Sequence, residues 1–311
     1  MKLVRFALFV QLGLRIAFGV LRPKPHAFLL GIGLLACAGC GASSASSSST
    51  NTSDPAKPST VAAGMTGGLS EEEFKALHEL KTDAAPKLDG QDITIDGTKA
   101  YLSLPNAKKP SQMGIVVIHE WWGLNDNIRH WSDRLAQDGY AALAVDLYGG
   151  VVAKSPDEAM TAMKAVDDKK ALATLLAAHD FLKKDPRIMA TKTGSIGWCF
   201  GGAWSLRLAM AEPDLDAAVI YYGHLVTDPE QLKPIKAELL GIFGNKDKAI
   251  TPDDVNVFEA ALGKANVKHQ IFRFDADHAF ANPSNPRYDQ KSATEAWAHV
   301  HEFFQRTLGG K

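Results

Sequence analysis

Apolar and polar positions change their rhythm twice along this chain. From Met113 onward, short unbroken apolar runs alternate with longer stretches whose apolar residues recur at helical spacing. The runs Gly114–Ile118, Tyr140–Val145, Thr193–Ile196, Ala217–Tyr222, Glu238–Phe243 and His269–Phe274 predict strands buried on both faces. Ile128–Asp138 predicts a short helix. Pro156–Lys184 reads as one long helix with Leu172, Leu175, Leu176 and Leu182 on a single face. Pro252–Leu262 reads as another, and Ala293, Trp297, Val300 and Phe304 stripe a last one. Strands alternating with helices predict an α/β fold with a mostly parallel central sheet and helices on both faces. Ahead of Met113, Asp92–Gly97 and Ala100–Leu104 predict a hairpin at the sheet edge. Ser70-Glu71-Glu72-Glu73 before Phe74, Leu77 and Leu80 reads as the capped start of a peripheral helix.

The first seventy residues follow another pattern. Met1 to Lys24 carry five basic residues and no acidic one, around an apolar run from Phe6 to Leu21. A second apolar run, Ala27 to Leu35, ends in Leu34-Leu35-Ala36-Cys37-Ala38-Gly39-Cys40. A basic flank, a short apolar core and small residues before a cleavage point describe an export signal over residues 1–40. The Leu-Leu-Ala-Cys ending resembles a bacterial lipobox, which implies lipidation at Cys37 or Cys40; an uncleaved membrane anchor is the alternative. Residues 41–69 are rich in Ser, Ala, Thr and Gly, with little to bury, and are expected to form a flexible tether. The expectation is a single folded domain, 70–311, with its core over about 91–308, held at the bacterial cell envelope on the periplasmic side.

Cysteine usage and charge narrow the chemistry. Two of the three cysteines lie at the proposed lipidation site, so Cys199 stands alone in the folded region. A lone thiol has no intramolecular partner for a structural disulfide, and a metal site built on paired cysteines is excluded. The net charge is −1, and the five basic residues of the leader leave the remainder at −6. That acidic balance argues against a nucleic-acid partner. No metal or organic cofactor is implied, and a monomer is expected.

Chemistry gathers in the loops that follow the buried runs, where open α/β sheets collect their functional groups. Gly197-Trp198-Cys199-Phe200-Gly201-Gly202 follows one such run and precedes a helical stretch, Ala203 to Ala211. This is the context of a nucleophile elbow, with cysteine where serine usually stands. Gly244-Asn245-Lys246-Asp247 and Asp275-Ala276-Asp277-His278-Ala279-Phe280 follow two more runs. Cys199, Asp247 and His278 thus give nucleophile, acid and histidine in chain order. A thiol needs a base or a neighbouring cation near neutral pH, which His278 supplies, while an aspartate holds the imidazole by its second nitrogen. The backbone N–H groups of Phe200 and of Trp121 are the candidate oxyanion donors. Trp122 and Tyr148 are candidates to line an apolar substrate pocket, with Trp121 beside them; Trp204 reads as core.

Residues from about Gln91 to Leu308 resemble the dienelactone hydrolase family of α/β-hydrolases. His119-Glu120-Trp121-Trp122-Gly123-Leu124-Asn125, Asp146-Leu147-Tyr148, the cysteine elbow, Gly244-Asn245-Lys246-Asp247 and Asp277-His278-Ala279-Phe280 carry the resemblance. It implies an α/β-hydrolase fold and a Cys199–Asp247–His278 triad that cleaves a small ester or lactone through a cysteinyl acyl-enzyme. It also implies that Glu120 holds the resting thiol until substrate displaces it. Two arginines that bind substrate carboxylate in the best-known members are replaced here by Gly150 and Asn282. A neutral or differently anchored ester or lactone is therefore expected. A broad carboxylesterase or thioesterase, or a retired hydrolase acting as an envelope binding lipoprotein, are the alternatives.

Overall fold

The computed structural model describes residues 69–78, 87–106 and 110–309. The leader, Cys37 and Cys40, and the tether up to residue 68 lie outside the described residues. No helix among the described residues is long and apolar enough to cross a membrane.

An eight-stranded sheet forms the centre, built from β1 (Gln91–Ile95), β2 (Thr98–Ser103), β3 (Met113–Ile118), β4 (Ala141–Val145), β5 (Lys192–Trp198), β6 (Ala217–Tyr221), β7 (Glu238–Gly244) and β8 (His269–Phe274). Its order is β1-β2-β4-β3-β5-β6-β7-β8. The β1–β2 and β2–β4 pairings are antiparallel and all others parallel. The predicted edge hairpin is present. Asp96 and Gly97 both take positive φ, 46° and 79°, which matches the twist of a two-residue hairpin turn.

The described helices are α1 (Glu71–Leu77), α2 (Asp126–Gln137), α3 (Pro156–Lys164), α4 (Asp168–Lys184), α5 (Phe200–Ala211), α6 (Pro229–Leu232), α7 (Pro252–Lys264) and α8 (Gln290–Leu308). They cover both faces of the sheet. On β5, Gly194 faces Phe304 and Leu308 of α8, while its neighbour Ser195 bonds Ser205 of α5 at 2.8 Å. Successive strand residues point to opposite faces, so α5 and α8 lie on opposite sides. On the α8 side, Trp131 of α2 sits between Trp297 and the β5 residue Trp198, with ring centroids 4.6 and 5.3 Å away. Ile115, Val116, Val117 and Ile118 of β3 are wholly buried, which explains why this strand reads as an unbroken apolar run.

Three elements differ from the sequence reading. The helix expected over Pro156–Lys184 is two, because the Asp167 carboxylate accepts the Lys170 N–H at 2.9 Å and starts a new helix. The four-residue α6, capped by Asp228, was not anticipated. The N-terminal helix α1 does begin at the Ser70–Glu73 capping box, but it is not peripheral. Its Phe74 is 1 % exposed and packs edge-on against Trp121 at 5.3 Å. Phe74 meets a partner 47 positions away, which no local pattern reveals.

Candidate active site

The turn between β5 and α5 carries Cys199 with φ 53° and ψ −114°, a backbone region that side-chain-bearing residues rarely occupy. Such strain persists only where the surroundings over-determine it. Here Cys199 N–H bonds the Tyr221 carbonyl at 2.9 Å, tying the turn to β6. A Cβ on Gly197 would run into the Gly201 backbone, and one on Gly201 into the Ile118 carbonyl. The flanking glycines let helix and strand approach closely enough to hold the thiol at the carboxyl edge of the sheet. Phe200 is the first residue of α5, so its N–H has no carbonyl within the helix to bond.

Asp247 and His278 sit in the loops after β7 and β8. Asp247 Oδ1 accepts the N–H groups of Ala249 and Ile250 at 2.8 and 3.0 Å, which fixes the carboxylate. Its Oδ2 accepts His278 Nδ1–H at 2.7 Å, and both side chains are buried. Burial pulls the His278 pKa down, but Asp247 and the thiol together outweigh it and hold the ring well above its ordinary value. With Nδ1 committed, Nε2 is the open atom. It is buried and makes no hydrogen bond among the described residues, and a ring nitrogen of His278 lies within 4.8 Å of Cys199 Sγ. The structure thus brings together the thiol, the imidazole and the carboxylate that the motifs singled out.

The resting thiol has another neighbour. His78, the residue after α1, places Nε2 3.2 Å from Cys199 Sγ, while its Nδ1 bonds the Phe74 carbonyl at 2.8 Å. Because the carbonyl requires a donor, Nδ1 carries the hydrogen and Nε2 is left to accept from the thiol. Burial, and then the charge of His278, keep the His78 pKa well below its usual value, so the ring is neutral. Phe74 and Trp121 enclose this ring at 4.3 and 4.6 Å, and His278 lies 5.1 Å away. Sequence reasoning missed His78 altogether. It lies 121 residues before its partner, and an isolated histidine after a short helix carries no motif.

This arrangement corrects the expectation for Glu120. Its carboxylate accepts from Asn282 Nδ2 at 2.5 Å, and the thiol's partner is His78 instead. Burial raises the Glu120 pKa to about 7, opposed by the charge of His278 and by Asn282. The Tyr222 hydroxyl is buried nearby. Asn282 Oδ1 in turn accepts from Ser284 and, at 3.2 Å, from Asn127. Where the resemblance looks for an anion-binding arginine, Asn282 is therefore committed to positioning a carboxylate. Gly150 donates its N–H to Asp146, and Arg287, the other basic group near in sequence, bonds the Ala76 carbonyl at 3.0 Å and pins α1.

The aromatic residues divide by role. Trp121 is fully buried behind His78, and Trp122 packs on it at 5.3 Å. Trp204 is core, as expected, at 1 % exposed. Tyr148 packs against Phe200 and His119. His119 itself is structural: its Nδ1 donates to the Glu120 carbonyl at 2.6 Å and its Nε2 accepts from Leu147 N–H at 3.1 Å. A cavity of about 830 Å³ opens beside the Asp146–Gly149 loop, lined by Lys99, Tyr148, Val166 and Lys170 among others. Of the expected site residues, only Tyr148 borders it, whereas Cys199 and His278 lie beneath α1, 5 % and 1 % exposed.

A cysteine on a strained strand-to-helix turn, at the carboxyl edge of a largely parallel sheet, with an Asp–His pair after the last two strands, defines an α/β-hydrolase fold with cysteine at the elbow. Residues 98–308 match the dienelactone hydrolase family, and the chain belongs to that family of hydrolases. It is 34% identical over 219 residues to the protein usf of Aquifex pyrophilus, covering 68% of this chain and 94% of that one. A Salmonella typhimurium protein named as a candidate carboxymethylenebutenolidase is 32% identical over 244 residues, covering 70% of this chain and 85% of that one. Among solved structures, a candidate dienelactone hydrolase of Klebsiella pneumoniae aligns with a TM-score of 0.63 and 28% identity, covering 71% of this chain and 100% of that one. The match begins at residue 98, so α1 and His78 lie outside it.

Proposed function

We propose that this protein hydrolyses small esters or lactones through a cysteinyl acyl-enzyme. The observation that carries the reading is the left-handed Cys199 turn facing a His278 ring whose other nitrogen is held by Asp247 at 2.7 Å. His278 Nε2 takes the thiol proton as Sγ attacks the carbonyl carbon. The N–H groups of Phe200 and Trp121 receive the developing oxyanion, each donor lowering the barrier by roughly 3–4 kcal/mol. The tetrahedral intermediate collapses, His278 returns the proton to the departing alkoxide, and a thioester remains on Cys199. For a lactone the alcohol stays attached to the acyl group. His278 then deprotonates a water that attacks the thioester, and the acid departs as the thiol re-forms. Splitting the reaction this way replaces one difficult step by two easier ones.

The acyl group is neutral in this reading, because Asn282 is spent on Glu120, Arg287 on Ala76, and Gly150 offers no side chain. Trp122 and Tyr148 are assigned to the substrate-facing wall. The carbonyl must take the place beside Sγ that His78 occupies at rest. The envelope location, with attachment through Cys37 or Cys40, belongs to the same proposal and rests on the N-terminal residues alone; radiolabelled palmitate incorporation into wild type and the two Cys→Ser variants tests it. Catalysis is tested by hydrolysis of a neutral aryl ester. Turnover in the wild type, with a stoichiometric burst of alcohol and loss of at least ~10³-fold in Cys199→Ala, is expected. Equally slow hydrolysis by both proteins rules the mechanism out.

A further inference from the structure

Hydrolysis requires one imidazole beside the thiol, and the structure supplies two. His78, Cys199 and His278 come from the end of α1, the elbow and the loop after β8, and all three are buried. One ring nitrogen of each histidine and Cys199 Sγ lie within 4.8 Å of one another. Each ring spends its Nδ1–H on an acceptor behind it, the Phe74 carbonyl for His78 and the Asp247 carboxylate for His278. Each therefore directs Nε2 toward the sulfur, at 3.2 Å for His78 and as a buried atom without a hydrogen-bond partner among the described residues for His278. Anchoring the outer N–H on a backbone carbonyl or a carboxylate is how metal-ligating histidines are held in tautomer and direction.

We propose that His78, Cys199 and His278 form a three-ligand site for a borderline-soft divalent cation, Zn²⁺ being the expected occupant, and that occupation masks the nucleophile. Two imidazoles and a thiolate suit zinc, whereas calcium and magnesium require oxygen ligands. Tetrahedral coordination at zinc bond lengths places ligand atoms about 3.3–3.6 Å apart. The 3.2 Å contact and the 4.8 Å bound on the other separations leave only small side-chain adjustments. A water completes the coordination. Charge also balances: the thiolate and the Asp247 carboxylate behind His278 together offset the ion, which a buried site demands. The ion replaces the thiol proton and any proton that His278 Nε2 carries. Both leave to solvent, one Zn–S and two Zn–N bonds form, and nothing is oxidised or reduced. With its sulfur and Nε2 lone pairs both engaged, the site has neither nucleophile nor base. His78 lies outside residues 98–308, the region matched to the family.

The test uses the full chain, stripped of metal by a chelator and titrated with Co²⁺ and then Zn²⁺. One Co²⁺ per chain with a thiolate-to-cobalt charge-transfer band, bleached by Zn²⁺ and absent in Cys199→Ala, is expected; the variant also separates Cys199 from Cys37 and Cys40. Zn²⁺ should block alkylation of Cys199, and a chelator should restore it. His78→Gln should weaken cobalt binding by at least ~10-fold while its far-ultraviolet circular dichroism matches the wild type. A missing band, or His78→Gln binding as tightly as wild type, overturns the site. Ester turnover on the same samples keeps the two readings apart. Metal binding without turnover removes only the hydrolase mechanism, and turnover indifferent to Zn²⁺ with no cobalt band removes only the metal site.

Discussion

The seat of α1 over the thiol is held chiefly by Phe74, and removing that ring is expected to expose Cys199. Phe74 is 1 % exposed, with Trp121, His78 and His278 around it at 5.3, 4.3 and 6.4 Å. Beside Phe74, the buried His78 contacts Cys199 Sγ at 3.2 Å, and the surface restraints on α1 are weaker. Lys75–Asp157 and Lys164–Glu71 are surface ion pairs, each worth about 0–1 kcal/mol, and Arg287 adds one hydrogen bond to the Ala76 carbonyl. A buried Phe→Ala change costs about 3–5 kcal/mol. Here the loss falls on the docking of one short helix, because the sheet and its own helices do not depend on that ring. At ~3 kcal/mol the docking equilibrium shifts by roughly two orders of magnitude. The assay is the iodoacetamide alkylation rate of Cys199, read by mass spectrometry on its peptide, beside the thermal midpoint of the whole protein. Phe74→Ala should alkylate about 100-fold faster, up to the limit of a fully open site, with the midpoint nearly unchanged. An alkylation rate within twofold of wild type would refute the docking energetics. A midpoint that drops by the full core-cavity amount would show instead that α1 unfolds only with the whole domain.

Two further substitutions probe the buried carboxylates. Asp247→Asn keeps the shape but turns an N–H toward His278 Nδ1–H, so the ring must adopt the wrong tautomer; kcat should fall about 10³–10⁴-fold, and a loss under tenfold would remove Asp247 from the mechanism. Glu120 has a folded pKa raised from 4.5 to about 7 by burial, so its favourable contribution is complete below pH 4.5 and is lost as pH rises through 7. Glu120→Gln should therefore gain stability over wild type between pH 5 and 8, by up to about 3 kcal/mol in urea unfolding. Parallel pH profiles for the two proteins would contradict the shift.

Much of the candidate site was legible because its parts follow strong local signals. Cys199, Asp247 and His278 each come directly after an unbroken apolar run, and a parallel sheet delivers the ends of such runs to one edge. The glycines beside Cys199 announced a backbone that side chains cannot share, and the structure shows which carbonyls would collide. The long helix over Pro156–Lys184 misled because its apolar stripe crosses the break, while the signal for restarting at Asp167 is one capping side chain.

What the order of residues determined by itself was the alternation of strands and helices, the strained cysteine turn and the three chemical groups brought to the sheet's edge. These depend on periodicity and on backbone sterics, which act within a few residues. Only the tertiary structure decided which side chain rests against the thiol. Glu120 stands beside the elbow in every local sense, yet Asn282, 162 residues away, claims it. His78 carries no motif, yet a helix docked through Phe74 and pinned by Arg287 sets it 3.2 Å from the sulfur. Such choices are made by packing and hydrogen-bond competition among distant segments, and no spacing along the chain records them.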